Sequence, residues 1–334
     1  MKRPHLLLIA LSCMIAFGCQ TSQSQSSNSN NGVPAASSYK WTQLTEHAAY
    51  PTGYNYPIFV AKGLMWAFHA ESIWSSADGK AWVRSELPTI RKNVYQSQYV
   101  QFKDAIYALG DNSGNYEKMR FNPKIRRTRD FKKWETLAGT SNLPGRIFYG
   151  LVVFRDKIWL IGGYDGREYH NDVWNSADGV VWTNVAEKAA WSARNIGTIT
   201  VFRDKIFIIG GGTIDGMPNP NPDSDREVWT SSDGVDWNKE TTDLQKRAGG
   251  SPVVFDNKLW LVGANRDGSF ARSSLVSEDG VTFKEESAPW SPRGGAAGWV
   301  FNDKMYMTGG KYSITENGQI RFIYSNDVWV MSKK

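Results

Sequence analysis

The sequence predicts an all-β protein, a six-bladed β-propeller that is closed by an N-terminal strand completing the last blade. Three observations support this prediction. A segment of roughly 40–50 residues recurs six times, each copy carries the signals of four short strands, and most of the 15 Trp residues fall at equivalent places in the copies. Residues 39–334 are therefore expected to form one propeller domain.

The first half of each repeat consists of two apolar strands joined by a tight turn. The pattern is clearest in Phe154–Gly163, where an Asp-Lys turn joins the strands and Gly-Gly ends the second one. Equivalent segments begin at Phe202, Phe255 and Phe301, and weaker copies begin at Val60 and Phe102. A loop of variable length follows in each copy, and variable loops on a rigid scaffold are where binding residues usually lie.

The second half of each repeat is a hairpin with an aromatic residue after its turn. Asp-Gly between two apolar strands favours a hairpin because Gly readily adopts the positive φ that the turn requires. The segments Ser76–Trp82, Ser176–Trp182 and Ser232–Trp237 share this turn, and Thr128–Trp134 and Glu278–Phe283 are degenerate copies. Repetition at equivalent positions indicates that these Trp side chains belong to the core.

The two ends of the repeat region complement each other. The last repeat stops after Asn326–Trp329 and has no fourth strand, whereas Tyr39–Leu44 reads as a fourth strand without the first three. Pairing the two would close the ring and remove an open sheet edge that would otherwise be prone to aggregation. We therefore expect Trp41 to lie near Trp329.

The N-terminal segment is predicted to be a targeting signal. Lys2 and Arg3 precede the apolar stretch Leu6–Phe17, which is the layout of a secretory signal. Ala16–Cys19 resembles the bacterial lipobox, and this resemblance implies cleavage before Cys19 and attachment of diacylglycerol to its sulfur.

The segment that follows is predicted to be a tether. Residues 1–18 would form the lipoprotein signal peptide, and residues 19–38, rich in Ser and Asn, cannot bury enough apolar surface to fold. The lipid bilayer is then a partner through Cys19. The expected location is the bacterial cell envelope, at the outer membrane and facing the periplasm or the surface, with secretion without lipid as the alternative.

Composition excludes several other classes of function. The formal net charge is +6, which is only mildly basic, so no nucleic-acid partner is expected. Both Cys residues, Cys13 and Cys19, precede the repeats, which excludes a Cys-ligated zinc site and a Cys nucleophile there. We expect no cofactor and a monomer. Asn219–Asp225 alternates oxygen-bearing side chains as calcium loops do, but its Pro residues already explain a stiff exposed loop, so no metal is expected either.

Four arginines form the first candidate site. Arg146, Arg194, Arg247 and Arg293 precede the innermost strands of four consecutive repeats, so they are expected to ring one mouth of the central channel. Planar guanidinium groups bind carboxylate, sulfate or phosphate bidentately, which predicts an anion site at this mouth. The alternative is structural, with each arginine tying blades together through backbone carbonyls.

Two Trp and two His residues are further candidates for ligand binding. Trp191 and Trp290 each stand three residues before an arginine of the ring, where their rings could stack on a sugar. Apolar residues at the equivalent places of other repeats favour an interblade plug instead. His69 replaces the first Gly at the end of a second strand, and His170 lies in a variable loop.

The Gly-Gly strand end and the downstream Trp resemble the kelch repeat, and the resemblance covers residues 41–331. It implies a propeller similar to the central domain of galactose oxidase and to N-acetylneuraminate epimerase. Copper-radical oxidase chemistry requires a Cys-crosslinked Tyr, which the repeats lack because they contain no Cys. Epimerase chemistry requires an acid/base pair beside carboxylate-binding arginines, and no catalytic residue can be assigned here.

The favoured hypothesis is a non-catalytic binding module, lipid-anchored at the cell envelope, that recognises a glycan or a protein partner through the face bearing the arginines. The alternative is a sugar mutarotase or epimerase acting on an acidic carbohydrate. A scaffold within an envelope complex is the third hypothesis. Because propellers host many unrelated activities, the fold alone does not choose among them.

Overall fold

The structure is a computed structural model that describes residues 37–69, 72–90, 98–110, 120–139, 141–212, 221–242, 244, 247–248, 250–263, 265–266 and 269–334. The predicted signal peptide, the predicted lipidation site Cys19 and the predicted tether up to residue 36 lie outside the described residues. Within the described part of the chain, no helix has the length and apolar character needed to cross a membrane. Strands dominate, and Pro222–Arg226 forms a short 3₁₀ helix.

The first strand and the first two blades follow the predicted order, and each blade is a four-stranded antiparallel sheet in chain order. The chain begins with β1 (Tyr39–Thr45). Blade 1 contains β2 (Ile58–Ala61), β3 (Leu64–Phe68), β4 (Ile73–Ser76) and β5 (Val83–Arg84). Blade 2 contains β6 (Gln98–Phe102), β7 (Ala105–Leu109), β8 (Ile125–Thr128) and β9 (Glu135–Ala138).

Blades 3 and 4 have the same plan, and blade 3 has the longest middle strands. Blade 3 contains β10 (Gly150–Phe154), β11 (Lys157–Tyr164), β12 (Tyr169–Ser176) and β13 (Thr183–Ala186). Blade 4 contains β14 (Thr198–Phe202), β15 (Lys205–Ile209), β16 (Val228–Ser231) and β17 (Asn238–Glu240).

Blade 5 carries an additional three-stranded sheet. This small sheet consists of β18 (Arg247–Ala248), β21 (Asn265–Arg266) and β22 (Ser269–Phe270). The blade itself contains β19 (Ser251–Phe255), β20 (Lys258–Val262), β23 (Ser273–Ser277) and β24 (Lys284–Ser287).

Blade 6 closes the ring as the sequence predicts. It contains β25 (Ala297–Phe301), β26 (Lys304–Thr308) and β29 (Val328–Lys333), and β1 is its outer strand. In the antiparallel β1–β29 ladder, Trp41 lies opposite Met331 and Gln43 lies opposite Trp329. Between the second and third strands of this blade, β27 (Lys311–Glu316) and β28 (Gln319–Tyr324) form a separate two-stranded hairpin.

The hydrophobic core is divided among the six interfaces between neighbouring blades. Each of six clusters of buried residues joins two adjacent blades, including one that joins blade 6 to blade 1 through Trp299, Tyr306 and Trp82. Trp182 is 2% exposed, and its indole N–H donates to the carbonyl of Gly179 at 3.2 Å. The repeated Trp residues are therefore core residues, and the closed ring has six blades.

The Asp-Gly turns have one hydrogen-bonding scheme. In blade 3, Ser176 Oγ donates to Asp178 Oδ1 at 3.0 Å and accepts the N–H of Gly179 at 2.8 Å. Asp178 Oδ1 also accepts the N–H groups of Val180 and Val181 at 2.8 and 2.9 Å. Gly179 has a φ of 79°, as the sequence predicts. Side-chain hydrogen bonds take the place of the strand ladder at this turn, and the fourth strand begins at the residue after each Trp.

Candidate functional site

The two ends of the propeller differ in structure. Because the strands of a blade alternate in direction, the connections between second and third strands lie at the same end as the segments that lead into the innermost strands. We call this end the loop face, and we call the opposite end, which carries the tight turns, the turn face. Backbone bridges join the two parts of the loop face at Ile147–Tyr164, Asn195–Gly212 and Gly294–Lys311.

Arg293, one of the four arginines predicted to ring the channel mouth, pairs with a carboxylate of its own blade. The side chain is 2% exposed, and Nη1 and Nη2 donate to the two carboxylate oxygens of Asp327 at 2.5 and 2.9 Å. Nη1 also donates to the carbonyl of Gly309 at 3.0 Å, and Nε donates to the carbonyl of Ser291 at 3.1 Å. Asp327 accepts a further bond from the indole N–H of Trp329 at 2.8 Å.

Arg146 has the same arrangement in blade 3. Its two Nη atoms donate to the two oxygens of Asp172, and Nη1 also donates to the carbonyl of Gly162 at 3.1 Å. The indole of Trp174 donates to Asp172 at 2.7 Å. Burial raises the pKa of Asp172, but the hydrogen bonds and charge of Arg146 outweigh burial, so the net pKa is lowered.

Arg194 completes the pattern in blade 4. Nη2 donates to Glu227 Oε2 at 2.5 Å, and Nη1 donates to the carbonyl of Ser224 at 3.0 Å. Glu227 also accepts from Trp229 at 3.0 Å and from Lys239 at 2.7 Å. Burial raises the pKa of Glu227, but these hydrogen bonds lower it to about 2. Burial lowers the pKa of Arg194, and Glu227 opposes that shift.

The other three blades depart from this arginine–carboxylate–indole arrangement. In blade 2, Lys124 and Arg126 stand at the carboxylate and Trp positions. In blade 1, Gly53 replaces the arginine, and Trp74 donates to the hydroxyl of Ser72 at 2.7 Å where the other blades have a carboxylate. Blade 1 therefore lacks both the arginine and the carboxylate of this arrangement. In blade 5, Ser273 stands where the carboxylate would be, and the side chain of Arg247 lies outside the described part of the structure.

The geometry of Arg146, Arg194 and Arg293 favours a structural role, but within each blade and not between blades as expected. Their guanidinium groups donate to a carboxylate and to backbone carbonyls of their own blades, so an external anion would have to displace a buried carboxylate. A cavity beside Arg146, lined also by Phe121 and Tyr149, has a volume of about 10 Å³. That volume holds about one water molecule.

Trp191 and Trp290 lie between blades. Each is 1% exposed. Trp191 packs edge-on against Trp237 with 6.1 Å between ring centroids, and Trp290 packs edge-on against Trp41 at 4.4 Å. A sugar needs an accessible ring face for stacking, so these positions fit the interblade plug.

His69 lies over the loop-face segment of blade 1. Its ring is 5.2 Å from that of Tyr56, and a Cβ on Gly53 would come within 2.7 Å of its Nε2 atom. The imidazole thus occupies space next to the position where other blades have arginine. A side chain at position 53 would collide with His69 unless the imidazole moved.

His170 is brought together with two carboxylates at the end of the β11–β12 hairpin. Its Nε2 atom lies 3.0 Å from Asp165 Oδ2, and ligand atoms of Asp165, Glu168 and His170 all lie within 4.8 Å of one another. Asp165 Oδ1 accepts the backbone N–H groups of Arg167 and Glu168, both at 2.8 Å. Burial raises the pKa of Asp165, but these bonds and His170 leave it below its ordinary value.

Among the described residues of the loop face, the β27–β28 hairpin is the most exposed apolar part. At its base, Ser325 N–H donates to Gly310 at 3.0 Å, and Gly310 N–H donates to Gly53 of blade 1 at 2.9 Å. Five of the nine large hydrophobic residues that are exposed in the described structure lie on this hairpin or beside it. They are Tyr54 (41% exposed), Ile314 (38%), Ile320 (71%), Phe322 (47%) and Tyr324 (40%).

Four of these residues form one surface, which we call the aromatic stripe and which consists of Tyr54, Ile320, Phe322 and Tyr324. Strand register places the last three on one side of β28, and the rings of Tyr54 and Tyr324 are 5.7 Å apart. Lys311 Nζ lies 4.7 Å from the centroid of the Tyr54 ring and 4.9 Å from that of Phe322. The repeat pattern predicts only a variable loop here, although the Asn317-Gly318 pair between two segments with alternating apolar residues is a strong hairpin signal.

The chain resembles known proteins at the level of the propeller. Residues 12–330 match the family described as DUF6242 beta propeller domain. A solved structure titled "Structure of YjhT" is similar with a TM-score of 0.65 and 11% identity, over 86% of this chain and 96% of that one. No curated protein matches the sequence. The family match spans nearly the whole chain, and the protein therefore belongs to the DUF6242 beta propeller domain family.

Proposed function

We propose that the protein is a non-catalytic binding module that recognises a glycan or a protein partner through the loop face. The observation that carries the proposal is the concentration of exposed aromatic and apolar side chains in the aromatic stripe. Contiguous exposed apolar surface on a soluble domain usually marks a site of interaction. The kelch resemblance of the repeats supports a scaffold that displays variable loops.

A thermal-shift screen tests this proposal. The probes are N-acetylneuraminic acid, glucuronic acid, sulfated dextran and soluble glycans from cell envelopes. We expect a glycan ligand to raise the melting temperature of the wild-type protein and of a Val83→Ser variant, whose substituted side chain is 67% exposed away from the loop face. A Phe322→Ser/Tyr324→Ser variant should lose the response. A response that survives this double substitution would contradict binding at the aromatic stripe.

A sugar mutarotase is the second candidate function. The cluster of Asp165, Glu168 and His170 on the loop face favours it, because anomer interconversion requires groups that donate and accept protons close together. NMR exchange measurements on N-acetylneuraminic acid would show faster anomer exchange with the protein than in buffer, and His170→Gln would remove the acceleration. Exchange at the buffer rate would eliminate this candidate.

We further propose that the module is anchored to the cell envelope through a lipid on Cys19. The lipobox-like Ala16–Cys19 segment supports this, and two or three acyl chains give a stable anchor where one is marginal. Metabolic labelling with an alkynyl palmitate analogue should label the wild-type protein and not Cys19→Ser. Equal labelling of the two, or a wild-type protein found only in the medium, would exclude the anchor.

A further inference from the structure

The β27–β28 hairpin has an unpaired strand edge. In the described part of the chain, β28 pairs only with β27, and β27 makes one further bridge, between Lys311 and Gly294. Asn317 and Gly318 at its tip have φ values of 51° and 76°, which is the two-residue type I′ turn. This turn places Glu316 and Gln319 in a hydrogen-bonded pair, and the pairs then alternate along the ladder. The backbone N–H and C=O groups of Ile320, Phe322 and Tyr324 consequently point outward from β28.

Contacts at the base of the hairpin support this assignment. Lys311, which lies opposite Tyr324, exchanges both of its backbone hydrogen bonds with Gly294, at 2.9 Å each. Its polar groups therefore point outward from β27, as alternation requires. Within the described structure, the outward backbone groups of Ile320 and Phe322 make no hydrogen bond.

The same three residues that offer backbone groups also supply the apolar side chains of the aromatic stripe. A strand that adds to β28 would satisfy the outward N–H and C=O groups and would place every second side chain against Ile320, Phe322 and Tyr324. A carbohydrate has no regular series of alternating N–H and C=O groups at strand spacing. The hairpin edge thus fits an extended polypeptide.

The charges at the hairpin favour an acidic residue in that polypeptide. Arg321 pairs with Glu316 at 3.3 Å, so these two charges compensate each other. Lys311 lies over the rings of Tyr54 and Phe322, and no carboxylate in the described structure pairs with it. An acidic side chain at the Tyr324 end of an added strand would approach this ammonium group.

We propose that the outer edge of β28 binds an extended segment of a partner protein by strand addition, with apolar residues at alternate positions and an acidic residue near Lys311. This proposal rests on the binding function proposed above and specifies a protein, not a glycan, as the partner. The sugar screen tests the general function independently, so a sugar response without peptide binding would overturn only the strand-addition proposal.

Fluorescence anisotropy with labelled hexapeptides tests the proposal. The library has the pattern Glu-Thr-apolar-Thr-apolar-Thr, with Val, Ile, Phe or Tyr at the apolar positions. For a binding member, N-methylation of the two apolar residues removes donors facing β28 and should weaken binding about 10-fold per donor. N-methylation of the Thr residues removes donors facing away and should leave binding near the parent value. Failure of all members to bind, or equal effects of the two methylations, would overturn the proposal.

Variants of the protein provide the matching test. Ile320→Pro removes an outward N–H that the hairpin ladder does not use, whereas Ile320→Ala removes the side chain and keeps that N–H. The Pro variant should bind peptide about 10-fold more weakly than the Ala variant, with melting temperatures equal. Equal affinities would contradict strand addition. A wild-type dimer in sedimentation that Ile320→Pro makes monomeric would identify a second copy as the occupant and overturn the partner assigned here.

Discussion

Replacing Arg293 with Ala should destabilise the propeller strongly, because the guanidinium group is the buried partner of Asp327. The two side chains are 2% and 12% exposed, and truncation would leave the carboxylate buried with only the indole N–H of Trp329 as a donor. Breaking a buried ion pair from one side costs about 3–5 kcal/mol. With an unfolding entropy of about 2.1 cal/mol/K per residue over residues 37–334, this corresponds to a melting temperature lower by about 5–8 °C.

Differential scanning calorimetry of matched variants separates a structural from a ligand-binding arginine. Arg155→Ala removes an arginine from an exposed ion pair with Asp204, at 3.4 Å, and should change stability by less than about 1 kcal/mol. The double variant Arg293→Ala/Asp327→Ser should recover part of the loss, because no carboxylate remains buried without its partner. A loss below about 1 kcal/mol for Arg293→Ala would refute the structural role and return this arginine to the candidate anion site.

Three further predictions concern the blades. The pKa of Glu227 in the folded protein is about 2, below its ordinary 4.5, so its contribution to stability is fully present above pH 4.5 and is lost as the pH falls toward 2. The melting temperature of Glu227→Gln should therefore depend less on pH across this window than that of the wild-type protein. Parallel profiles of melting temperature against pH would contradict this prediction. Trp182→Ala should cost about 3–5 kcal/mol in chemical denaturation, and a loss below about 1 kcal/mol would mean that the indole is not a core group. Gly234→Ala should lower the melting temperature, since its Cβ would come within 2.2 Å of Trp159 and its φ is 83°; an unchanged melting temperature would show that Trp159 moves freely.

The ring could be predicted from sequence because its determinants recur. Strand alternation and the Asp-Gly turns are repeated often enough that degenerate copies, such as Thr128–Trp134, can be recognised by alignment with better ones. In the structure Phe131 takes the Gly place of that turn with a φ of 58°, and its N–H still bonds to Thr128. Closure of the ring was predictable because the last repeat lacks a fourth strand and the N-terminal segment consists of a fourth strand alone.

The role of the arginines was harder to predict because a sequence shows charge and position but not the partner. The signal was nevertheless present, since Asp172, Glu227 and Asp327 each stand two residues before a third-strand Trp in a blade that carries the arginine. Blade 1 lacks both charged residues. The joint presence of the arginine and the carboxylate in blades 3, 4 and 6 therefore predicts that the two side chains pair within each of these blades.

The candidate interaction surface depends on an inserted element, which repetition cannot reveal. The β27–β28 hairpin occurs in one blade, and its apolar residues resemble ordinary strand residues in sequence. The structure shows that, among the described residues, no third strand pairs with β28. Likewise, the proximity of Asp165, Glu168 and His170 results from a tight connection whose shape is set by backbone bonds to Asp165.

The β1–β29 ladder also determines how the domain is presented to its surroundings. The hydroxyl of Tyr39 donates to Asp256 in the strand 1–2 turn of blade 5 at 2.7 Å, so the chain enters the propeller at the turn face. The backbone N–H of Lys334 bonds to Ser38 at 2.9 Å, which places the C-terminus at the same spot. A linker or fusion partner attached at Lys334 therefore emerges at the turn face, at the end of the propeller opposite the aromatic stripe.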